Sequence, residues 1–160
     1  MKIILCCVLM VACTYLGFVV ANNLKRKRKF WEDMVRFCEF LASNIGFGQR
    51  KIDEIVSEYK AICSCDCQRL LTTYIDGKSG VDLLYDMQEN FFEREEEKLL
   101  QEFFSVLGEL DVYNELVKIE NYKARFSKKF EHYLEKNNKY APLTVKLSII
   151  FGIVVCIVFF

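Results

Sequence analysis

Eight cysteines occur in 160 residues, and three of them fall within five positions, Cys63-Ser64-Cys65-Asp66-Cys67. Thiolates ligate soft metals and exchange disulfides, so this cluster is where chemistry is first sought. A structural zinc site uses two pairs of ligands, each pair spaced by two to four residues. Here the three thiols alternate with other residues, Cys38 is the one further cysteine between the apolar ends, and the lone His132 lies far along the chain. On a helix Cys63 and Cys67, four apart, share a face, and a reducing compartment keeps them as thiols that pack like small apolar groups. The cluster is therefore expected to be structural, with no metal and no cofactor; a thiol-based membrane redox or metal sensor is the alternative.

The remaining chemical motifs are weaker. Gly77-Lys78-Ser79 matches the end of a phosphate-binding loop, but the earlier glycine of that motif falls at Thr72 and no strand pattern precedes it, so a solvated turn is expected. Glu93-Arg94-Glu95-Glu96-Glu97-Lys98 is rich in carboxylates. Catalytic pairs need surroundings that drive their pKa values apart, and this run reads as a solvated helix face. His132 flanks an apolar stripe and gives catalysis little to build on. No catalytic residue is assigned, and a chain with room for one domain and little else leaves no space for a large enzyme.

Such residues need elements to hold them, and the charges outline those elements. The formal net charge is zero, 22 basic against 22 acidic side chains, but the two ends are bare. Residues 3–21 and 147–160 carry no charge, and every acidic residue lies between Glu32 and Glu135. At helical rise residues 3–21 span roughly 28 Å, close to the roughly 30 Å of bilayer hydrocarbon, so they are expected to form a transmembrane helix. Lys25, Arg26, Lys27, Arg28 and Lys29 follow directly, which by the positive-inside rule places the chain after them in the cytoplasm and the N-terminus outside. A cleaved signal peptide would carry its basic residues ahead of the apolar run. A lipoprotein signal ending at Cys13 is disfavoured by the uncharged residues that continue to Ala21.

Residues 143–160 form the second expected transmembrane helix, with Pro142 able to open it and Lys146 able to extend its ammonium toward headgroups. Lys128, Lys129, Lys136 and Lys139 precede it, so the C-terminus is also expected outside. A buried core helix is the alternative for so short a run, but hydrophobicity on every face favours lipid. The pentabasic run could contact nucleic acid in another setting; beside an apolar helix, in a mildly acidic domain, it is assigned to the membrane surface, and no nucleic-acid partner is expected.

Between the anchors, residues 25–140 hold 20 of the basic and all 22 of the acidic side chains. With one proline and no strand-like alternation, they are expected to form an all-α cytoplasmic helical bundle flanked by the two transmembrane helices. Phe30, Met34, Phe37, Leu41 and Asn44/Ile45 make one stripe, ending at Gly46-Phe47-Gly48; Ile52, Ile55, Val56, Tyr59 and Ile62 make a second. Leu70, Leu71, Tyr74 and Ile75 suggest a third helix, Leu83, Leu84 and Met87 a fourth. Leu99, Leu100, Phe103, Phe104 and Leu107 mark a fifth, closed by Gly108, after which Asp111 is placed to cap the last helix. That helix carries Val112, Leu116, Ile119, Lys123, Phe126, Phe130, Tyr133 and Asn137 in a heptad stripe and is expected to break at Pro142. The stripe is expected to pack within the domain, with a homo-oligomer left open.

The order of these features resembles the stage III sporulation protein AB family over nearly the whole chain. The resemblance rests on Ala12-Cys13-Thr14 with Gly17-Phe18 and Ala21, on the stripe through Leu41 with Ile45 and Gly48, on Leu107-Gly108 with Asp111, and on Leu147 and Gly152. It departs where the family carries a Gln-rich stretch, here Tyr113-Asn114-Glu115, and at Ser148, where a glycine is common.

The resemblance implies a platform protein in the mother-cell membrane around the forespore of an endospore former. It would work with a secretion-type ATPase, stage III sporulation protein AA, and with other channel-complex membrane proteins. It also implies likeness to the helical inner-membrane platforms of type II secretion and type IV pilus machines. Residues 82–120 carry twelve acidic against three basic side chains. Glu93, Glu95, Glu96 and Glu97 are accordingly expected to be candidate partner-binding residues, set away from a basic collar at the bilayer. A membrane-tethered adaptor unrelated to sporulation is the plainer alternative.

Overall fold

The structure, a computed structural model, describes residues 2–48, 50–77, 91–108 and 112–159. The expected all-α class holds: five helices are α1 (Lys2–Gly48), α2 (Ile52–Lys60), α3 (Cys65–Ile75), α4 (Arg94–Val106) and α5 (Val112–Phe159), with no strand among the described residues.

Two helices are longer than the sequence suggests. An anchor followed by a separate stripe helix was expected at the N-terminal end; α1 instead runs unbroken through the basic residues to Gly48. Lysine and arginine are good helix formers, and no Gly or Pro lies between Gly17 and Gly46. The Arg36 guanidinium adds a bond to the Glu32 carboxylate one turn back, at 2.7 Å. Pro142 was expected to break the last helix, and α5 passes through it. The proline removes the N–H that would reach the Asn138 carbonyl and crowds that carbonyl. Its ring is exposed and displaces no core. Beyond it, the Thr144 and Ser148 hydroxyls donate to the Tyr140 and Thr144 carbonyls at 2.8 and 2.9 Å, side-chain bonds of the kind that let apolar helices tolerate proline.

The chain divides into two compact units. One, Lys29–Phe130, has an aromatic core. From α1, Phe30, Trp31, Met34, Phe37, Cys38 and Leu41 are fully buried at spacings of three and four. The short helices add Ile55, Val56, Tyr59, Leu70, Leu71, Leu99, Leu100, Phe103 and Phe104, and α5 adds Ile119 and Phe126. Ring contacts run from Phe37 to Phe103 (6.2 Å), Phe103 to Phe126 (5.2 Å) and Phe126 to Trp31 (5.7 Å). Such pairs contribute about 0.5–1.5 kcal/mol each beyond the area they bury. Ile62 leaves its expected stripe and is exposed because α2 ends at Lys60. Gly77 takes φ +75 in the turn after α3; Lys78, Ser79 and the expected fourth helix with Leu83, Leu84 and Met87 lie outside the described residues.

The other unit, Met1–Arg28 with Glu131–Phe160, pairs the first part of α1 with the last part of α5 in antiparallel fashion. A Cβ placed on Gly17 would lie 2.7 Å from Ser148 Cβ and overlap its Oγ, so the backbones touch there as no larger residue permits. Gly152 sits against Met10 Cα and Cys13, at 3.6 and 3.7 Å from its own Cβ position. Burial in this unit is inverted. Gly17, Ala21, Ala141 and Gly152 are buried, whereas Val8, Val11, Leu16, Phe18, Leu147, Ile150, Phe151 and Ile157 are exposed. Among the described residues one helix, over Val112–Val155, is long and apolar enough to cross a membrane. Of the expected N-terminal anchor, the side chains of residues 3–7 and 9 lie outside the described set.

Candidate functional site

On the helix pair, basic residues from the two ends of the chain gather around aromatic rings. Lys27 Nζ lies 5.5 Å and Lys136 Nζ 5.6 Å from the Tyr133 ring centre, and Lys139 lies 5.6 Å from that of Tyr140. Tyr133 itself is buried, and two ammonium groups against one ring hold the collar together by cation–π attraction. Lys25 and Lys146 face a cleft of about 610 Å³ whose other walls are Phe18, Ala21, Asn22, Asn137, Asn138, Ala141 and Pro142. Neither Lys25 nor Lys146 has an ion pair among the described residues. Asn137 is 8 % exposed and its Oδ1 has no hydrogen-bond donor. Each of the basic residues expected to flank a membrane is helical here.

The last collar residue, Lys29, belongs to the aromatic unit and is engaged differently. Its ammonium lies 3.3 Å from Asp33 and 3.7 Å from Glu32. Asp33 is 3 % exposed, accepts the Ser64 N–H at 2.9 Å, and offers its main-chain carbonyl to the Tyr59 hydroxyl at 2.8 Å. One residue thus ties α1 to α2 through its main-chain carbonyl and to the start of α3 through its carboxylate. Sequence reading overlooked Asp33, although a carboxylate three residues after Phe30 and four before Phe37 lies on the stripe and four after Lys29 it has a helical partner.

That anchorage positions the cysteine cluster. Ser64 is the N-cap of α3, with Cys65 exposed in the first turn, Cys67 buried and Cys63 half-buried before it. The Cys67 thiol donates to Cys63, which lowers the Cys63 pKa, while the same bond and burial push Cys67 well up. Cys38, beneath the core, is raised by burial. Among the described residues no group of three or more His, Cys, Asp or Glu could hold a metal ion.

The acidic run at the start of α4 is only partly a surface. Glu93 and Glu95 are exposed and Glu97 is intermediate, but Glu96 is 1 % exposed. This corrects the expectation of a solvated face at Glu96. The Glu96 carboxylate accepts the Glu93 N–H at 3.0 Å, closing the helix N-terminus, and lies 3.6 Å from Lys129. Its role is internal because position N3 of a helix points a carboxylate back at the free N–H groups.

At the other end of α4, Leu107 is buried and Gly108 takes φ +90, a left-handed backbone suited to glycine. The Gly108 N–H donates to Glu115 at 2.9 Å, and Glu115 is buried. Asp111, the expected cap of α5, lies outside the described residues. His132 is exposed, against the Tyr133 ring. On the α5 stripe, Lys123 pairs with Glu39 of α1 at 3.3 Å, so this charged interruption is satisfied inside the aromatic unit.

A family model described as stage III sporulation protein AB matches residues 2–160, the chain from end to end. No curated protein and no solved structure gives a match.

Proposed function

The chain belongs to the stage III sporulation protein AB family, which implies a role in stage III of sporulation, and from that premise we propose that it is a non-enzymatic membrane platform. In this reading both termini lie outside the mother-cell membrane around the forespore, residues 25–140 are cytoplasmic, and the protein links a secretion-type ATPase, like stage III sporulation protein AA, to the other membrane proteins of a channel complex.

The observation that carries the membrane half of the reading is the inverted burial of the helix pair. Water would penalise so many exposed large apolar side chains, whereas in lipid, helix association relies on close contact of small residues such as Gly17 with Ser148 and Gly152 with Met10. Basic residues gather where the apolar faces stop, as at a cytoplasmic headgroup layer. The platform half is supported by a compact helical unit with an aromatic core and an acidic patch, Glu93, Glu95 and Glu97, left on its surface. Such a patch contributes chiefly to encounter rate and choice of partner.

The test is co-purification of the full-length membrane-extracted chain with the ATPase. Glu95→Lys together with Glu97→Lys, which spare the internal Glu96, are expected to reduce recovery of the ATPase severalfold and to flatten its loss with added salt. Unchanged recovery would overturn docking on the acidic patch, and no recovery with the unaltered chain would overturn the ATPase link.

A further inference from the structure

The cleft in the helix pair has more chemistry than a basic collar needs. A collar attracts anionic lipid loosely, through charge near a surface, and requires no cavity. Here Lys25 and Lys146 bring two ammonium groups to a single recess of about 610 Å³, and neither is neutralised by a carboxylate among the described residues. Phe18, Ala21 and Ala141 give the recess an apolar floor. Asn22 and Asn138 add amide donors and acceptors, and Pro142 leaves the Asn138 carbonyl without the helical N–H that would normally reach it. Asn137 lines the same recess more than nine-tenths buried, with its Oδ1 unpartnered. A buried amide oxygen without a donor costs stability, and a turn of the amide about its last torsion presents that oxygen to a hydroxyl in the cleft.

We propose that this cleft is a discrete binding site for the headgroup of one anionic, hydroxyl-bearing phospholipid, of the phosphatidylglycerol type. The phosphodiester sits between Lys25 and Lys146, and the glycerol hydroxyls donate to Asn137 Oδ1 and the Asn138 carbonyl. The acyl chains run along the exposed apolar faces beside Phe18 and Leu147. A choline or ethanolamine headgroup would bring a third cation to two lysines and is selected against. The inference rests on the membrane reading above and adds a stoichiometric lipid to it.

The full-length chain is reconstituted into vesicles of phosphatidylcholine alone or mixed equally with phosphatidylglycerol or phosphatidylethanolamine, then extracted in mild detergent, and retained lipid is counted by native mass spectrometry. One phosphatidylglycerol per chain is expected, enriched at least tenfold over the other lipids. Lys25→Ala with Lys146→Ala, both exposed, should abolish the enrichment, and Asn137→Leu should weaken it. Lys128→Ala with Lys139→Ala removes the same charge at residues that do not line the cleft and should leave it within twofold. Equal loss in both double variants, or no enrichment in the unaltered chain, overturns the site in favour of diffuse attraction. Displacement of the lipid by millimolar inorganic phosphate or glycerol 3-phosphate would show a soluble phosphate site and overturn the lipid assignment. Flotation with pure phosphatidylcholine vesicles after alkaline carbonate washing separates the premises: a chain that floats without selecting phosphatidylglycerol loses the site alone, and one that does not float loses the membrane reading as well.

Discussion

Cys63 and Cys67 share a hydrogen bond that splits their acidities, so the first proton lost from the pair leaves a Cys63 thiolate held by the Cys67 thiol. Alkylation follows the thiolate fraction, so Cys63 should react with iodoacetamide at a lower pH than an ordinary thiol with its pKa near 9.0. Cys67→Ala removes the donor and should move the Cys63 midpoint upward, as read by mass spectrometry of the modified peptides across a pH series. An unmoved midpoint would sink the shared-proton account, and loss of sporulation on replacing Cys63, Cys65 and Cys67 by Ser would favour the sensor reading. Glu96 gives a second contrast between neighbours. Glu96→Ala removes the helix-closing bond and leaves Lys129 without its buried partner, which should destabilise the chain by about 2–4 kcal/mol, whereas exposed Glu95→Lys should stay within about 0.5 kcal/mol. Thermal unfolding of the solubilised full-length chain measures both. The carboxylate run was visible in the sequence, but which member turns inward depends on where α4 begins. That start is fixed by Glu93 as the N-cap, and the apolar stripe alone does not reveal it.

Stripes named most of the faces correctly because spacing of three and four is a property of the helix itself: Phe30, Met34, Phe37 and Leu41 are buried as read, and so are Leu99, Leu100, Phe103 and Phe104. Helix ends were harder. Pro142 reads as a break when only its missing N–H is counted, yet its exposed ring and the Thr144 and Ser148 hydroxyl bonds let α5 continue. Whether a breaker breaks is decided by its neighbours in space. The tight approach of α1 and α5 could be anticipated from Gly17 and Gly152, but the residue that meets Gly17 is Ser148. Gly17→Ala should therefore destabilise the pair by about 1–3 kcal/mol despite the better helix propensity of alanine. Ser148→Gly in the same chain vacates the overlapped atoms and should restore most of the loss. Equal unfolding midpoints for Gly17→Ala and the unaltered chain would mean that the helices do not meet at this point.

In the whole molecule the zero net charge is a cancellation between places, and the places make a prediction about sides. Exposed apolar faces occupy the helix pair, while in the aromatic unit the buried carboxylates of Asp33 and Glu96 pair with Lys29 and Lys129, as acidic and basic groups do in water-soluble domains. The proposed orientation, in which the positive collar faces the cytoplasm, puts this unit on the cytoplasmic side. Cys65 is an exposed thiol of that unit and serves as a native reporter. A membrane-impermeant maleimide added to intact protoplasts should leave Cys65 unmodified, and opening the membrane should expose it, with the modified peptide identified by mass spectrometry. Labelling of Cys65 from outside would reverse the orientation and remove the acidic patch from any cytoplasmic ATPase. Protection of Cys65 both before and after opening would instead mean that a partner covers the start of α3, the one outcome that would draw the cysteine cluster into the assembly.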